Sequence, residues 1–473
     1  DFCLSRGLGD VYKRQVFSAV LFLTSCSDYL DILPKGKKIP TTLADFEAFI
    51  RDEYSNQRVD VANAINLLND RYQTNANLNY YELTKANYMW DESADRIYLN
   101  NSDESAYYTT YQSISSCNLI IEHAPTATEG TDTEKNQLIA YAKVLRAMNY
   151  FNVVNFYADT YQESTAASKG GVPLITNADI NAAYKQGNVK ETYDFILNDV
   201  NEALPFLKST SPTPLHPNIG AAYAFLARVY LQMSNYTEAL KYADLALKEN
   251  GELYDWVSYY AQYKERIENP DLYTTMPSPT NYYYVENYNF RHGATSYSST
   301  ENPISVERQA QFENGDARAA MRWKKRTIGS ETYCVSTTQG FFNNGGMTTV
   351  EVYLIKAECL ARTGSIDEAM NILNKVRKTR ILANKYTVLT ASTEEKAIEY
   401  IRLTKDNEMI LTIVPFIDAR RYNLDAKYAR TLTKVVDGKT LTLSPTSHLW
   451  TMPFPNGAVK NPGNGTITQN VAK

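Results

Sequence analysis

Ala221-Ala-Tyr-Ala-Phe-Leu-Ala-Arg-Val-Tyr-Leu-Gln-Met-Ser-Asn-Tyr-Thr-Glu-Ala-Leu-Lys-Tyr-Ala-Asp-Leu-Ala246 reads as two helices joined at Ser234-Asn235. The pattern returns in Val350-Glu-Val-Tyr-Leu-Ile-Lys-Ala-Glu-Cys-Leu-Ala-Arg-Thr-Gly-Ser-Ile-Asp-Glu-Ala-Met-Asn-Ile-Leu-Asn-Lys-Val376, with Gly364-Ser365 at the turn. In the first stretch Ala227 is followed by Tyr230, Ala239, Ala243 and Ala246; in the second, Ala357 is followed at the same offsets by Leu360, Ala369, Leu373 and Val376. Small residues at these places let two antiparallel helices approach closely, so the spacing predicts helix pairs near 219–247 and 349–377.

Both stretches resemble the tetratricopeptide helix-turn-helix. Working outward, apolar residues at helical spacing predict helices over Tyr107 to Ile121 and Gln137 to Tyr157, with others at Leu43 to Tyr54, Thr192 to Leu207 and Glu394 to Ile413. The pairs are not contiguous, so a helical core with insertions is expected rather than a regular solenoid. The main insertion, about Glu252 to Gly346, is rich in Tyr, Asn, Ser, Thr, Gly and Pro and shows no sustained helical period. Thr431 to Val436 and Thr440 to Leu443 alternate around Asp437-Gly438-Lys439, which predicts a β-hairpin.

At the N-terminal end, Lys13 and Arg14 precede the apolar run Val16 to Leu23, which is too short to span a bilayer but has the length of a signal-peptide core. The run ends in Leu23-Thr24-Ser25-Cys26, which resembles a bacterial lipobox. Residues 1–25 are therefore expected to be a signal peptide, with Asp1 to Asp10 read as an extension outside it, and Cys26 the lipidated residue. No later stretch is long and apolar enough to be transmembrane, so lipid alone is the expected anchor. Cys3, Cys117, Cys334 and Cys359 show no CxxC pairing, and no disulfide framework is expected. A formal net charge of -5 argues against a nucleic-acid partner, since phosphate binding needs a surplus of Lys and Arg.

The order of motifs resembles the SusD/RagB family of nutrient-uptake lipoproteins. Cys26-Ser-Asp-Tyr-Leu-Asp-Ile-Leu-Pro34 is similar to the family's opening. Leu145-Arg-Ala-Met-Asn-Tyr-Phe-Asn-Val-Val-Asn-Phe-Tyr-Ala-Asp159 with Gly171-Val-Pro-Leu174, Phe416-Ile-Asp-Ala-Arg-Arg421, and Met452-Pro-Phe-Pro455 with Asn461-Pro462 match later elements in order. The chain departs from the pattern at Thr412-Ile-Val-Pro415, where the family commonly has a glutamate–glycine–arginine element. The resemblance implies a mainly α fold: a SusD-like superhelix of tetratricopeptide-like pairs with long loop insertions, residues 26–473 forming one domain. It also implies an outer-membrane lipoprotein facing the cell surface, which captures a glycan, oligosaccharide or peptide for a SusC-like TonB-dependent transporter without chemistry of its own. No cofactor is implied.

No Gly-x-Ser-x-Gly, His-Glu-x-x-His, Walker or Rossmann pattern is present. His123, His216, His292 and His448 lack ligand spacing, so no metal site is expected. Asp91, Glu92 and Asp95, or Asp103 and Glu104, could serve as a glycosidase pair only if folding brought them together; a solvated acidic face is the simpler reading. A glycan-active hydrolase and a protein-binding scaffold are the alternatives. Tyrosine supplies 37 residues against 16 Phe and 4 Trp, and its flat face and hydroxyl suit sugar rings. The candidate ligand contacts are Trp256, Tyr282, Tyr283, Tyr284 and Tyr288 in the insertion, with Asp70, Arg71 and Trp90 upstream. Trp256, Tyr283 and Tyr284 are expected to form an exposed platform joined by Trp90, with Trp323 and Trp450 left to packing.

Overall fold

Asn218 starts the first helix pair: its side chain accepts a hydrogen bond from Ala221 N at 2.8 Å, capping the helix Ile219–Gln232. Gly220, Ala221, Ala224 and Ala227 are buried along this helix, and Ala239, Ala243 and Ala246 are fully buried along its partner, Tyr236–Glu249. With no side chain beyond Cβ on the facing positions, the helix axes can close to the short end of the usual packing distance. Ser234 reverses the chain at φ +58°, and Asn235 caps the second helix by accepting from Glu238 N at 3.2 Å. The second pair, Thr349–Arg362 and Ile366–Lys378, repeats this geometry with Gly364 at φ +90° in the place of Ser234. Glycine suits that position because the left-handed conformation costs it nothing.

The computed structural model describes residues 40–472 apart from 53–57, 69, 101–104, 270–276, 294–302, 337–342 and 437, and residues 42–473 cluster as one unit. Although about a hundred residues separate the two pairs in the chain, Tyr236–Glu249 packs directly on Thr349–Arg362, with Lys356 Nζ 2.7 Å from Asp244. Upstream, the helices Ser105–His123, Asp132–Tyr157 and Val189–Ala203 pack in succession; downstream, Glu394–Glu408 covers both helices of the second pair. The fold is thus a mainly α superhelix of stacked helix pairs. The signal segment and Cys26 lie outside the described residues.

The described strands form two-stranded sheets: β1 (Arg58–Val59) pairs in parallel with β4 (His292–Gly293), and β2 (Gly170–Leu174) antiparallel with β3 (Lys185–Asn188). β5 (Trp323–Ile328) and β6 (Glu331–Ser336) form a hairpin, as do β7 (Leu432–Val436) and β8 (Lys439–Leu443), the latter where alternation predicted it.

Two expectations are corrected. The insertion contains a helix, Trp256–Glu268, kinked at Tyr263 (φ -113°, ψ 16°) and capped by Asp255, whose carboxylate accepts from Ser258 N at 3.0 Å. Its buried face is Trp256, Tyr259, Tyr260 and Ile267, and since tyrosine also marks its exposed loops, composition hid the period. The helix expected to reach Ile413 stops at Glu408. Leu411 takes φ +66°, Thr412 Oγ1 bonds Met409 O at 2.7 Å, and Pro415 opens the next helix, Val414–Tyr422.

The motifs hold these layers together. Arg146 grips Asp199 through two bonds of 2.7 and 2.8 Å and Asn118 at 2.8 Å, tying three successive helices. The Tyr150 hydroxyl accepts from Ile175 N at 2.7 Å and donates to Ile175 O at 2.8 Å, which fixes the end of β2. Arg228 and Glu351 join the two helix pairs at 2.6 and 2.7 Å. In the 416–421 motif Arg421 makes a two-pronged bond to Glu358, and Asp418 lies between Arg421 and Lys405. Arg420 donates to Asn155 O and Ala158 O at the C-terminal end of Asp132–Tyr157, which satisfies carbonyls that the helix leaves open.

Candidate functional site

A cleft of about 410 Å³ opens where the segment Arg71–Asn77 meets the β5–β6 hairpin. Ligand pockets commonly enclose roughly 300–1,000 Å³, so this volume admits a small molecule or a sugar unit. Because Arg326 pairs with Tyr333, and Ile328 with Glu331, in antiparallel register, Arg326, Ile328, Tyr333 and Val335 share one face of the hairpin and line the cleft. Tyr72 stacks on Tyr333, ring centres 4.8 Å apart and planes 22° from parallel. Glu331 Oε1 accepts from Tyr72 OH at 3.1 Å and from Asn75 N at 2.9 Å. Tyr72 N also donates to Pro303 O at 2.7 Å, and Ile304 bridges Cys334, so the insertion builds the cleft's third side. Burial and the Glu331 carboxylate push the Tyr72 phenol far above its ordinary value, keeping it a neutral donor.

Chemically, the cleft offers two guanidinium groups, an amide, hydroxyls and an aromatic and aliphatic wall. Its lining, among the described residues, contains no carboxylate pair. Guanidinium and amide donors meet hydroxyl or carbonyl oxygens, while ring and aliphatic faces meet C–H surfaces.

Of the residues singled out from sequence, Arg71 lines this cleft. The exposed platform is corrected. Trp90 is 6% exposed, its Nε1 donates to Leu67 O at 2.7 Å, and it ends the helix Glu82–Met89 in the left-handed conformation. Trp256 is also 6% exposed, on the inner face of its helix with its ring 5.7 Å from Tyr259. Tyr288 is buried and donates to Asn250 O at 2.6 Å. Asp70 turns inward to Arg308 at 2.7 Å. Tyr282 is half-buried against Phe290, Tyr284 is half-buried beside Tyr254, and Tyr283 alone of the set stands in solvent, 76% exposed. Each buried ring has an apolar body to hide and, for Trp90 and Tyr288, a polar tip that finds a carbonyl; those rings hold the fold. Trp256 and Tyr284 do border a cavity, but of about 90 Å³, below the size of ligand pockets.

Tyr72, Tyr333 and Arg326 were missed. Gly329-Ser330, with Gly329 at φ +63°, is the two-residue turn of this hairpin and was open to sequence reading, although the flanking strands do not alternate; the pairing with Tyr72 was not. Asp91 and Asp95 serve local turns, accepting from Ser93 N and Tyr98 N at 2.9 Å each, and Glu92 is exposed; Asp103 and Glu104 lie outside the described residues. Among the described residues no group of three His, Cys, Asp or Glu side chains is placed to hold a metal ion. Trp323 and Trp450 are buried.

Residues 28–231 match a family model described as SusD-like, starch-binding associating with outer membrane, and residues 280–471 match the model of the SusD family. Among solved structures, a SusD superfamily protein from Bacteroides vulgatus is 16% identical, with 91% of this chain and 99% of that chain covered at a TM-score of 0.69. A SusD superfamily protein from Bacteroides thetaiotaomicron is 19% identical, covering 91% and 100% at 0.65. A putative sugar binding protein from Bacteroides vulgatus is 18% identical, covering 92% and 100%, also at 0.65. No curated protein matches the chain.

Proposed function

Since the chain belongs to the SusD/RagB family, we propose that it is a glycan-binding protein of the outer-membrane surface. In this reading it holds an oligosaccharide in the Arg71–Tyr72–Tyr333 cleft and passes it to a SusC-like TonB-dependent transporter. The observation that carries the reading is the cleft itself: two segments some 260 residues apart converge on a preformed pocket with stacked aromatic rings and guanidinium donors. The family description and the sugar-binding fold neighbour support the ligand class. Cys26 is the proposed lipid anchor; no helix among the described residues is long and apolar enough to cross a membrane. The protein binds without transforming, and the mature chain from residue 26 acts as one domain.

The test uses the chain lacking residues 1–26 in calorimetry and affinity electrophoresis against amylopectin, arabinoxylan, galactomannan, inulin and chondroitin sulfate. Arg71→Ala should weaken binding to whichever polymer is retained by about 2 kcal/mol, as removal of a central anchor commonly does. Unaltered affinity, or release of reducing ends during the incubation, would overturn the proposal. In cells, labelling by a palmitate analogue should vanish in Cys26→Ala.

A further inference from the structure

A second groove, of about 670 Å³, is built from residues remote from the first: Ser168–Gly170, Tyr184–Asn188 with Glu191, and Asn464–Thr466 with Thr468. Its walls are locked together across almost three hundred residues of chain. Tyr184 OH donates to Pro462 O, Asn464 Nδ2 to Asn181 O at 2.5 Å, and Thr468 N to Gln186 Oε1 at 2.8 Å. Gln186 in turn donates to Gly171 O at 3.1 Å, which ties the C-terminal loop to β2. Gly465 rests on the Tyr184 ring so closely that a Cβ there would lie 2.3–2.5 Å from ring carbons; only glycine permits the contact. The groove is therefore preformed, and a ligand need not order it.

The lining also restricts what it can hold. Lys185 is paired with Glu191 at 3.1 Å and Lys169 with Asp159 at 3.1 Å, so its charges are balanced before any ligand arrives. An anion or cation would gain little there. Apart from the Tyr184 ring the lining carries no large apolar side chain, so a lipid or apolar peptide would bury nothing against it. Amides and hydroxyls remain: Ser168 Oγ donates to Thr165 O at 2.9 Å and Asn464 Nδ2 to Asn181 O, which leaves Asn188, Thr466 and Thr468. Asn188 uses its Oδ1 to cap the helix Val189–Ala203, accepting from Glu191 N at 2.8 Å, and its Nδ2 makes no hydrogen bond among the described residues. The Asn188 Nδ2 and the hydroxyls of Thr466 and Thr468, around one aromatic ring and with the nearby charges paired, match an uncharged polyhydroxylated ligand.

We propose that this groove is a second saccharide site, selective for neutral sugars, and independent of the Arg71–Tyr72–Tyr333 cleft. A chain lacking residues 1–26 is run in affinity gels containing amylopectin, arabinoxylan, galactomannan or inulin, with chondroitin sulfate as the anionic control. Thr466 and Ser168 are exposed, so Thr466→Trp and, separately, Ser168→Trp fill the groove without touching the core. In the Arg71→Ala background at least one neutral polymer should still retard the protein, and either tryptophan should reduce that retardation threefold or more with the melting temperature unchanged. If both tryptophan variants migrate like their parent, or only chondroitin sulfate binds through the groove, the second site is wrong while the cleft reading stands. If Arg71→Ala has no effect and the tryptophans abolish binding, the cleft reading fails and the groove stands. Absence of binding to every neutral polymer overturns the groove proposal.

Discussion

Replacing Asp418 with Asn tests whether the 416–421 motif holds the fold rather than serves the ligand. Asp418 is buried, with Lys405 Nζ 2.7 Å from Oδ2, Arg421 3.1 Å from Oδ1, and Gln232 Nε2 donating to Oδ1 at 2.9 Å. Asparagine keeps the shape and one acceptor but removes the charge. Lys405 would then lose the carboxylate it is paired with, and Arg421 would keep only that of Glu358, which it shares with Arg362. Breaking a buried pair by deleting one partner costs about 3–5 kcal/mol, because the other ion stays desolvated. For the 42–473 unit, an unfolding entropy of about 2.1 cal/mol/K per residue amounts to roughly 0.9 kcal/mol/K, so the melting temperature should fall by about 3–6 °C. Lys405→Met should be costly alone, yet Asp418→Asn/Lys405→Met should cost well under the sum, since the second change removes the ion that the first stranded. Acid dependence gives a second readout. The neighbouring cations outweigh burial and hold the Asp418 carboxyl down at about 2, below its unfolded value, so its stabilisation is present above about pH 4 and lost as pH falls through 2. The variant should lack that part of the acid limb. Thermal melts at neutral and acid pH measure both effects; a drop under 1 °C, or strict additivity in the double variant, would refute the reasoning.

Gly364→Ala should lower stability by about 1–2 kcal/mol, measured by urea unfolding, because alanine must adopt φ +90° with no lost contact to blame: nothing lies within 4 Å of the added Cβ. Lys434 Nζ sits 4.2 and 4.3 Å from the ring centres of Tyr88 and Trp90, and burial pulls its ammonium down to about 7. The unfolded chain then binds more protons between pH 7 and 10.5, so stability should rise with pH across that window, and Lys434→Met should flatten the rise in melts taken at intervals from pH 7 to 10. Burial pushes the thiols of Cys117 and Cys359 up to about 12, and iodoacetamide should leave both unmodified in the native chain but alkylate them in urea, read by peptide mass spectrometry.

Helices and turns were legible because their causes are local. The alanine offsets and the Ser234 and Gly364 turns act over a few residues, and the motif order around Arg146 and Arg421 carried the family. Aromatic composition misled for an equally physical reason: a tryptophan in a polar stretch reads as a platform until one sees that Trp90 Nε1 has Leu67 O to bond, and composition does not say where a ring's polar tip will find a carbonyl. Arg71 was named, but not the partners that make it part of a cleft. Its wall exists only because Tyr72 N reaches Pro303 O and Glu331 receives both Tyr72 OH and Asn75 N, pairings across more than two hundred residues that no periodicity encodes. The helical repeats could be read from the residues alone, because period and turn are written within a few residues of chain; which tyrosines line a cleft was settled only by the tertiary packing, because exposure depends on what the rest of the chain packs against them.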